Sequence, residues 1–345
     1  MTSLNLSSCE FLIKIPDVSG IPSLEQIILE DCTGLVEIHE SLGSLDKLVY
    51  LGVERCTELK KLPSVLNLPL LSCIALNGCT KLESFPDLYG KMENLKIIEA
   101  EETAIQELPS NMVNFSNLEV LVLKCCTNLK DFPRTISLLP NLVLLDISGF
   151  PKLQLFQESN ESSSNLELPI KPCRDFDSSE IQSSHGFPLL ETLDLSDCNL
   201  SDENLQILCY FSNLTSLDIS KNHFVTLPQC FNRLSSLQEL YMANCNKLQQ
   251  IFGIPPNLEH IDATSCTMLN PQSLDLLLSQ VFLNTLTLSR FELTYLNLSP
   301  DINTCETICK NLWKQLAYMH KLFTIANENN SNLKNSLILS LSFVI

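Results

Sequence analysis

LVYLGVERCTELKKLP (48–63) and LSCIALNGCTKLESFP (71–86) are one pattern written twice. Both place Leu first, apolar residues at the fourth and sixth positions, Cys at the ninth, Leu at the twelfth and Pro at the sixteenth, giving the template LxxLxLxxCxxLxxLP. Leu24, Leu48, Leu71, Leu95, Leu118, Leu142, Leu190, Leu214, Leu237 and Leu258 each open such a unit, and Met1 opens one more at the start. The intervals between these leucines are 24, 23, 24, 23, 24, 48, 24, 23 and 21 residues, and a weaker twelfth copy starts at Leu283. A fixed period of this length outranks any local signal, because units of like sequence fold alike and stack on one another.

Within a unit, LxxLxLxx alternates apolar and polar residues, as a short strand with one buried face does. The closing Pro (Pro16, Pro63, Pro86, Pro133, Pro228) lacks a backbone donor and turns the chain off the strand direction. The return, as in SLGSLDKL (41–48), has apolar residues every three or four positions and suits a short helical or 3₁₀ segment. No unit can bury its own Leu face, so neighbours complete the core. The fold class read from this is α/β: a leucine-rich-repeat solenoid, a curved horseshoe with short parallel strands on the concave face and short helical or irregular segments on the convex face.

Of 15 cysteines, Cys9, Cys32, Cys56, Cys79, Cys126, Cys198, Cys245 and Cys266 hold the ninth position. A thiol is small and readily buried, so these are expected to form a reduced ladder through the core. No CxxC pair accompanies them, and dispersed cysteines point to reduced thiols in a cytosolic compartment. Cys305 and Cys309 are close in sequence, but no third ligand lies near enough to suggest a metal.

The expected organisation is residues 1–156 as repeats one to seven, 157–189 as a looped-out Ser/Asn-rich insertion, 190–292 as repeats eight to eleven with the weak twelfth, and 293–345 as a C-terminal flank. The insertion has no sustained period. In the flank, Ile308, Leu312, Leu316, Met319 and Phe323 form one apolar stripe, and Asn303 with Glu306 resembles a capping box. A helix from Thr304 to about Ala326 is therefore expected to cover the open end. The N-terminus opens inside a repeat and has no basic-then-apolar leader pattern. The stretch Leu337–Ile345 falls far short of the roughly 20 apolar residues of a membrane helix.

Asp and Glu outnumber Lys and Arg by 40 to 22, which disfavours nucleic acid and anionic membranes as partners. Positions 2, 3, 5, 7 and 8 should face the concave side, where 16 acids meet only Arg55, Lys96, Lys124 and Lys221. Each base has an acid at the same position of an adjoining repeat: Asp31 with Arg55, Glu119 with Lys96, Glu101 with Lys124, and Asp197 with Lys221. Strands stack about 4.8 Å apart, so all four pairs are expected to form. The candidate partner-binding set on this face is Glu99, Glu102, Asp146, Asp194, Asp218, Tyr241 and Asp262. If the insertion loops out, Asp146, Asp194 and Asp218 stack at position 5 of consecutive repeats, where like charges destabilise the sheet. Such a row is hard to attribute to stability and points to a Lys or Arg supplied by a protein partner.

No GxSxG, HExxH or glycine-rich nucleotide loop is present, and His39, His185, His223, His260 and His320 are scattered. No catalytic residue, metal ligand or cofactor is assigned, and the chain is expected not to be an enzyme.

The cysteine-bearing repeats ending in LP, above all CTGLVEIHESLGSLDKLVYLGVERCTELKKLP (32–63), resemble the leucine-rich repeats of plant intracellular immune receptors of the TIR, nucleotide-binding, leucine-rich-repeat class. EETAIQELP (101–109) resembles a shortened unit common in that class, and the likeness covers roughly residues 1–269. The resemblance implies a cytoplasmic or nucleocytoplasmic scaffold that contacts a pathogen effector or guarded host protein and helps restrain a nucleotide-binding module. No GxxxxGK[ST] loop occurs, so a fragment or truncated member is expected. Two further resemblances stand beside it. LDLSDCNLSDENLQIL (193–208) resembles the repeats of ubiquitin-ligase substrate adaptors, and sequons such as Asn114-Phe-Ser and Asn213-Leu-Thr would suit an extracellular receptor or inhibitor.

Overall fold

The computed structural model describes residues 1–90, 92–109, 112, 115–130, 136, 138–150, 187–209, 211–273, 276–277 and the strand at 292–294. Positions 3 to 5 of every repeat form a three-residue strand, from Ser3–Asn5 and Gln26–Ile28 through Leu144–Asp146 and Thr192–Asp194 to His260–Asp262. These strands and Glu292–Thr294 build one parallel sheet of twelve, in chain order. Register is conserved, with position 4 opposite position 4, as in Ile27 opposite Leu51 and Leu145 opposite Leu193.

Each strand is too short to persist alone, so its stability comes from the side chains it buries. Positions 1, 4 and 6 point inward: Leu24, Ile27 and Leu29, then Leu48, Leu51 and Val53, are completely buried. Each such side chain removes apolar area from water worth about 1.5–3 kcal/mol.

Position 8 ends every strand in the left-handed region. The torsion φ is +60° at Ser8, +58° at Asp31, +56° at Arg55, +55° at Glu102, +57° at Cys125, +58° at Lys221 and +62° at Ser265, with glycine at 78 and 149. For residues bearing a Cβ this conformation costs about 1–2 kcal/mol. It persists because the amide it frees donates to the carbonyl of position 7 in the next repeat: Asp31 to Glu54 (2.9 Å), Arg55 to Asn77 (2.7 Å), Glu102 to Lys124 (2.8 Å). The bend also drives position 9 into the core.

There Cys32, Cys56, Cys79, Cys126, Cys198, Cys245 and Cys266 are buried, and each thiol donates to the carbonyl of position 6 in the preceding repeat. Cys56 reaches Leu29 and Cys79 reaches Val53, both at 3.0 Å. Two expectations about cysteine are corrected. Cys9 is exposed, because among the described residues no turn packs on the outer side of the first repeat. Cys209 and Cys230, which lie outside the template, are joined in a disulfide, so the thiols are not uniformly reduced.

The return path includes 3₁₀ turns at Glu40–Ser44 and Gln229–Arg233 and an α-helix at Asp202–Leu208. Three two-stranded parallel pairs also form there, such as Lys14–Ile15 with Glu37–Ile38. The strands Leu144–Asp146 and Thr192–Asp194 pair directly although Leu142 and Leu190 lie 48 residues apart. Apart from 187–189, the stretch 157–189 lies outside the described residues, as does the helix expected from Thr304 to Ala326. A twelfth copy beginning at Leu283 would put its strand at 285–287. Those residues lie outside the described ones; the strand described next to His260–Asp262 is Glu292–Thr294, paired with it in parallel.

Candidate recognition face

The residues singled out from the sequence fall into one line. Glu99, Val122, Asp146, Asp194, Asp218, Tyr241 and Asp262 occupy position 5 of successive strands and are opposite one another in register. Only Glu102 lies off this row, exposed at the left-handed position 8. The three aspartates of repeats seven to nine are half-buried, so their carboxylates stand at the surface without being fully hydrated.

The structure gives these carboxylates a task that the sequence reading missed. Asp146 Oδ1 accepts from the backbone N–H and hydroxyl of Ser148 (2.9 and 2.7 Å), while Asp194 Oδ1 and Asp218 Oδ1 each accept from the N–H two residues on, at Ser196 and Ser220 (2.8 Å). Asp262 does the same with Thr264, and Asn5 with Ser7. The side chain thus satisfies the amide that leaves the strand, an Asx turn repeated along the sheet. The signal was present as [Asp/Asn]-x-[Ser/Thr] at positions 5 to 7. Contrary to the expectation from the sequence, the row therefore has a structural reason in the turns it holds.

Mutual repulsion and burial remain. Burial pushes the Asp146 carboxyl above its ordinary value, opposed by Ser148 and Lys124 and reinforced by Asp194. Asp194 is raised in the same way, with Asp218 as its like-charged neighbour. One oxygen of each carboxylate holds the turn, which leaves acceptor capacity on the other for an incoming cation.

Either end of the row is bounded differently. Tyr241, between Asp218 and Asp262, rests its ring against His260 at 4.9 Å and its hydroxyl 3.4 Å from Glu239 Oε2; burial raises that hydroxyl's pKa. At the other end Asn77 Nδ2 donates to both Glu54 and Glu99 at 3.2 Å, tying two acids together.

Three of the four expected ion pairs form. Arg55 donates to both oxygens of Asp31 at 2.6 and 2.8 Å, Lys96 meets Glu119 at 2.7 Å and Lys124 meets Glu101 at 3.2 Å. Asp197 and Lys221 hold the same template positions as Asp31 and Arg55 but do not come within ion-pair distance. All these pairs lie at the surface, where solvent screens them, so they fix side-chain orientation more than they stabilise the fold. A second set, Lys14 with Glu37, Lys81 with Glu58 and Lys130 with Glu107, links adjacent repeats beyond the strands and was not foreseen.

A family model described as disease resistance protein RPS4B-like, leucine-rich repeats, matches residues 67–279. TMV resistance protein N of Nicotiana glutinosa is 39% identical over 82 residues, 23% of this chain and 7% of that protein. Disease resistance protein RPS4B of Arabidopsis thaliana is 30% identical over 125 residues, 36% of this chain and 8% of that protein. The chain thus spans less than a tenth of the length of these relatives. Among solved structures, the leucine-rich-repeat protein LIC12759 of Leptospira interrogans is 16% identical with a TM-score of 0.38, covering 82% of this chain and 81% of that one. The LRIM1/APL1C complex is 19% identical with a TM-score of 0.44, covering 73% of this chain and 46% of that one.

Proposed function

Because the chain belongs to the leucine-rich repeats of RPS4B-like disease resistance proteins, we propose that it is the protein-recognition scaffold of a plant intracellular immune receptor. It binds a basic surface of a protein partner on its concave face. The partner is a pathogen effector, a guarded host protein or the receptor's own nucleotide-binding module, which the scaffold restrains until recognition. The compartment in this reading is the cytoplasm, or the cytoplasm and nucleus together. No helix among the described residues is long and apolar enough to cross a membrane.

The observation that carries this reading is the position-5 row. Asp146, Asp194 and Asp218 are held in register with one oxygen occupied by the turn, half-buried and repelling one another. A Lys or Arg from a partner would relieve the repulsion and add charge-assisted hydrogen bonds. The test is calorimetric titration of the nucleotide-binding module of an RPS4B-like resistance protein into the wild-type chain and into the Asp146→Asn, Asp194→Asn, Asp218→Asn triple variant. The reading expects binding that weakens at least about tenfold in the variant, as for loss of a charged partner. Equal affinity would show the row to be solvated surface.

A further inference from the structure

Among the described cysteines, ten are free and only Cys209 and Cys230 are bonded. The two populations differ in place and chemistry. The ladder thiols lie beneath the strands, and burial pushes Cys56, Cys79 and Cys198 up to about 12, where they remain protonated and poorly reactive. Cys209 and Cys230 lie on the return path and are only partly buried at the edge of the core, within reach of a small thiol.

Their position gives the bond a mechanical role. Cys209 follows the helix Asp202–Leu208 of the eighth repeat, and Cys230 sits in the 3₁₀ turn Gln229–Arg233 of the ninth. The strands of these repeats, Thr192–Asp194 and Ser216–Asp218, are already joined by sheet hydrogen bonds. Among the described residues no backbone ladder joins the return segments here: the Asp202 carboxylate at the start of the helix accepts from the Val225 and Thr226 amides and the Thr226 hydroxyl, and the disulfide ties the far end of the helix to the 3₁₀ turn. The disulfide holds their Cα atoms 5.8 Å apart and closes a covalent loop across 21 residues.

We propose that Cys209–Cys230 is a redox-responsive staple: closed, it clamps the return segments of the eighth and ninth repeats together, and reduced by a dithiol it lets them separate. A dithiol thiolate attacks one sulfur of the pair, forms a mixed disulfide and expels the other cysteine as thiolate, which takes up a proton. The second thiol of the reagent then closes on the first, releasing the remaining cysteine. Two electrons pass from dithiol to protein, yielding two cysteine thiols and one oxidised reagent. The staple does not depend on what the concave face binds.

The test starts from native protein purified without reductant, alkylated with iodoacetamide before and after dithiothreitol, with amide exchange followed by mass spectrometry. Cys209 and Cys230 should take label only after dithiothreitol, while Cys56, Cys79 and Cys126 stay unlabelled throughout. In a parallel sample reduced but not alkylated, amides of 202–234 should exchange faster by at least about tenfold, as release of a loop constraint predicts, and should slow again after removal of dithiothreitol and treatment with oxidised glutathione. The double variant Cys209→Ser, Cys230→Ser should exchange at the fast rate with or without dithiothreitol. Full labelling of the pair before reduction, or an exchange rate indifferent to reduction in the wild type, would overturn the proposal.

Discussion

At the scale of single residues, the ninth position carries the most physical content. A thiol there donates to the position-6 carbonyl of the preceding repeat, and in the repeat from Leu214 an asparagine makes the same bond, whereas Phe150 fills the position in the repeat from Leu142 with apolar bulk alone. Asn222 Nδ2 reaches the Leu195 carbonyl at 2.9 Å, and its Oδ1 accepts from the amides of Cys198 and Leu200 at 3.1 and 2.9 Å. Asn222→Ala would leave several buried groups unpaired and should cost about 3 kcal/mol by urea unfolding. Asn222→Cys should recover part of that loss, since cysteine restores the interrepeat donor. The ladder should also protect itself from reagents. Cys56, Cys79 and Cys126 are expected to resist alkylation until the protein unfolds, and rapid labelling in the native state would contradict their assignment to the core. For Asp146 and Asp194, folding raises the carboxyl pKa, so the native state binds more protons than the unfolded chain in the window above the ordinary value. Stability therefore falls as pH rises from the ordinary carboxyl value through the raised pKa, and the cost is complete above it. Asn keeps an Oδ1 for the turn and removes the charge. Asp146→Asn with Asp194→Asn should gain a few tenths of a kcal/mol at pH 7 after solvent screening, and nothing at pH 3. A net loss at pH 7 would mean that the charge itself holds the turn. The Cys and Asp positions were legible because the period exposes them. The left-handed conformation at position 8 was not, since Asp, Arg, Glu, Cys, Lys and Ser all adopt it and only Gly78, Gly149 and Asn244 hint at it.

At the scale of the element, each repeat is a strand, a bend and a return, held to its neighbours by side chains as well as by the sheet. Asn94, Asn117, Asn141, Asn213 and Asn257 precede the first Leu of their repeats, and each donates to a carbonyl two residues before the first Leu of the repeat preceding it. Asn94 reaches Pro69 at 2.8 Å and Asn117 reaches Glu93 at 2.6 Å. The recurring Asn-Leu pair was visible in the sequence, but a donor on the strand's approach carries no hydrophobic period and went unread. Close approach of return segments is equally silent. A Cβ at Gly43 would collide with the carbonyl oxygen of Val65 in the next repeat, and backbone cannot yield as a flexible side chain does. Gly43→Ala should therefore destabilise the protein by about 1–3 kcal/mol, with Gly20→Ala, which meets nothing within 4 Å, as the matched control. The tolerance of the array to insertion follows from the same register. Leu144–Asp146 pairs with Thr192–Asp194 as any two successive repeats do, so removing 24 residues from within 157–189 restores the ordinary interval. Such a deletion should shift stability by no more than about 0.5 kcal/mol, given the weak dependence of loop entropy on length. A large loss would show that the segment packs on the array.

At the scale of the whole molecule, charge and shape act together. A net charge of −18 disfavours polyanions as partners, and the parallel sheet gathers much of the acid onto one face. The repeat architecture and the position-5 row were readable from spacing alone, because a solenoid converts sequence period directly into spatial register. The disulfide and the strand Glu292–Thr294 were not, since both lie where the template lapses. What the concave face recognises is written in exposed side chains with no period of their own, which is why the family relation bears on function more than composition does. The central claim is that the acidic concave row is where a protein partner docks. Carbodiimide-driven carboxyl labelling, read by mass spectrometry with and without the nucleotide-binding module of an RPS4B-like resistance protein, tests it most directly. The account predicts that Asp146, Asp194, Asp218 and Asp262 lose label in the complex while Glu58 and Glu107, on the return side, keep theirs. Protection of Glu58 and Glu107 with undiminished labelling of the four aspartates would contradict it.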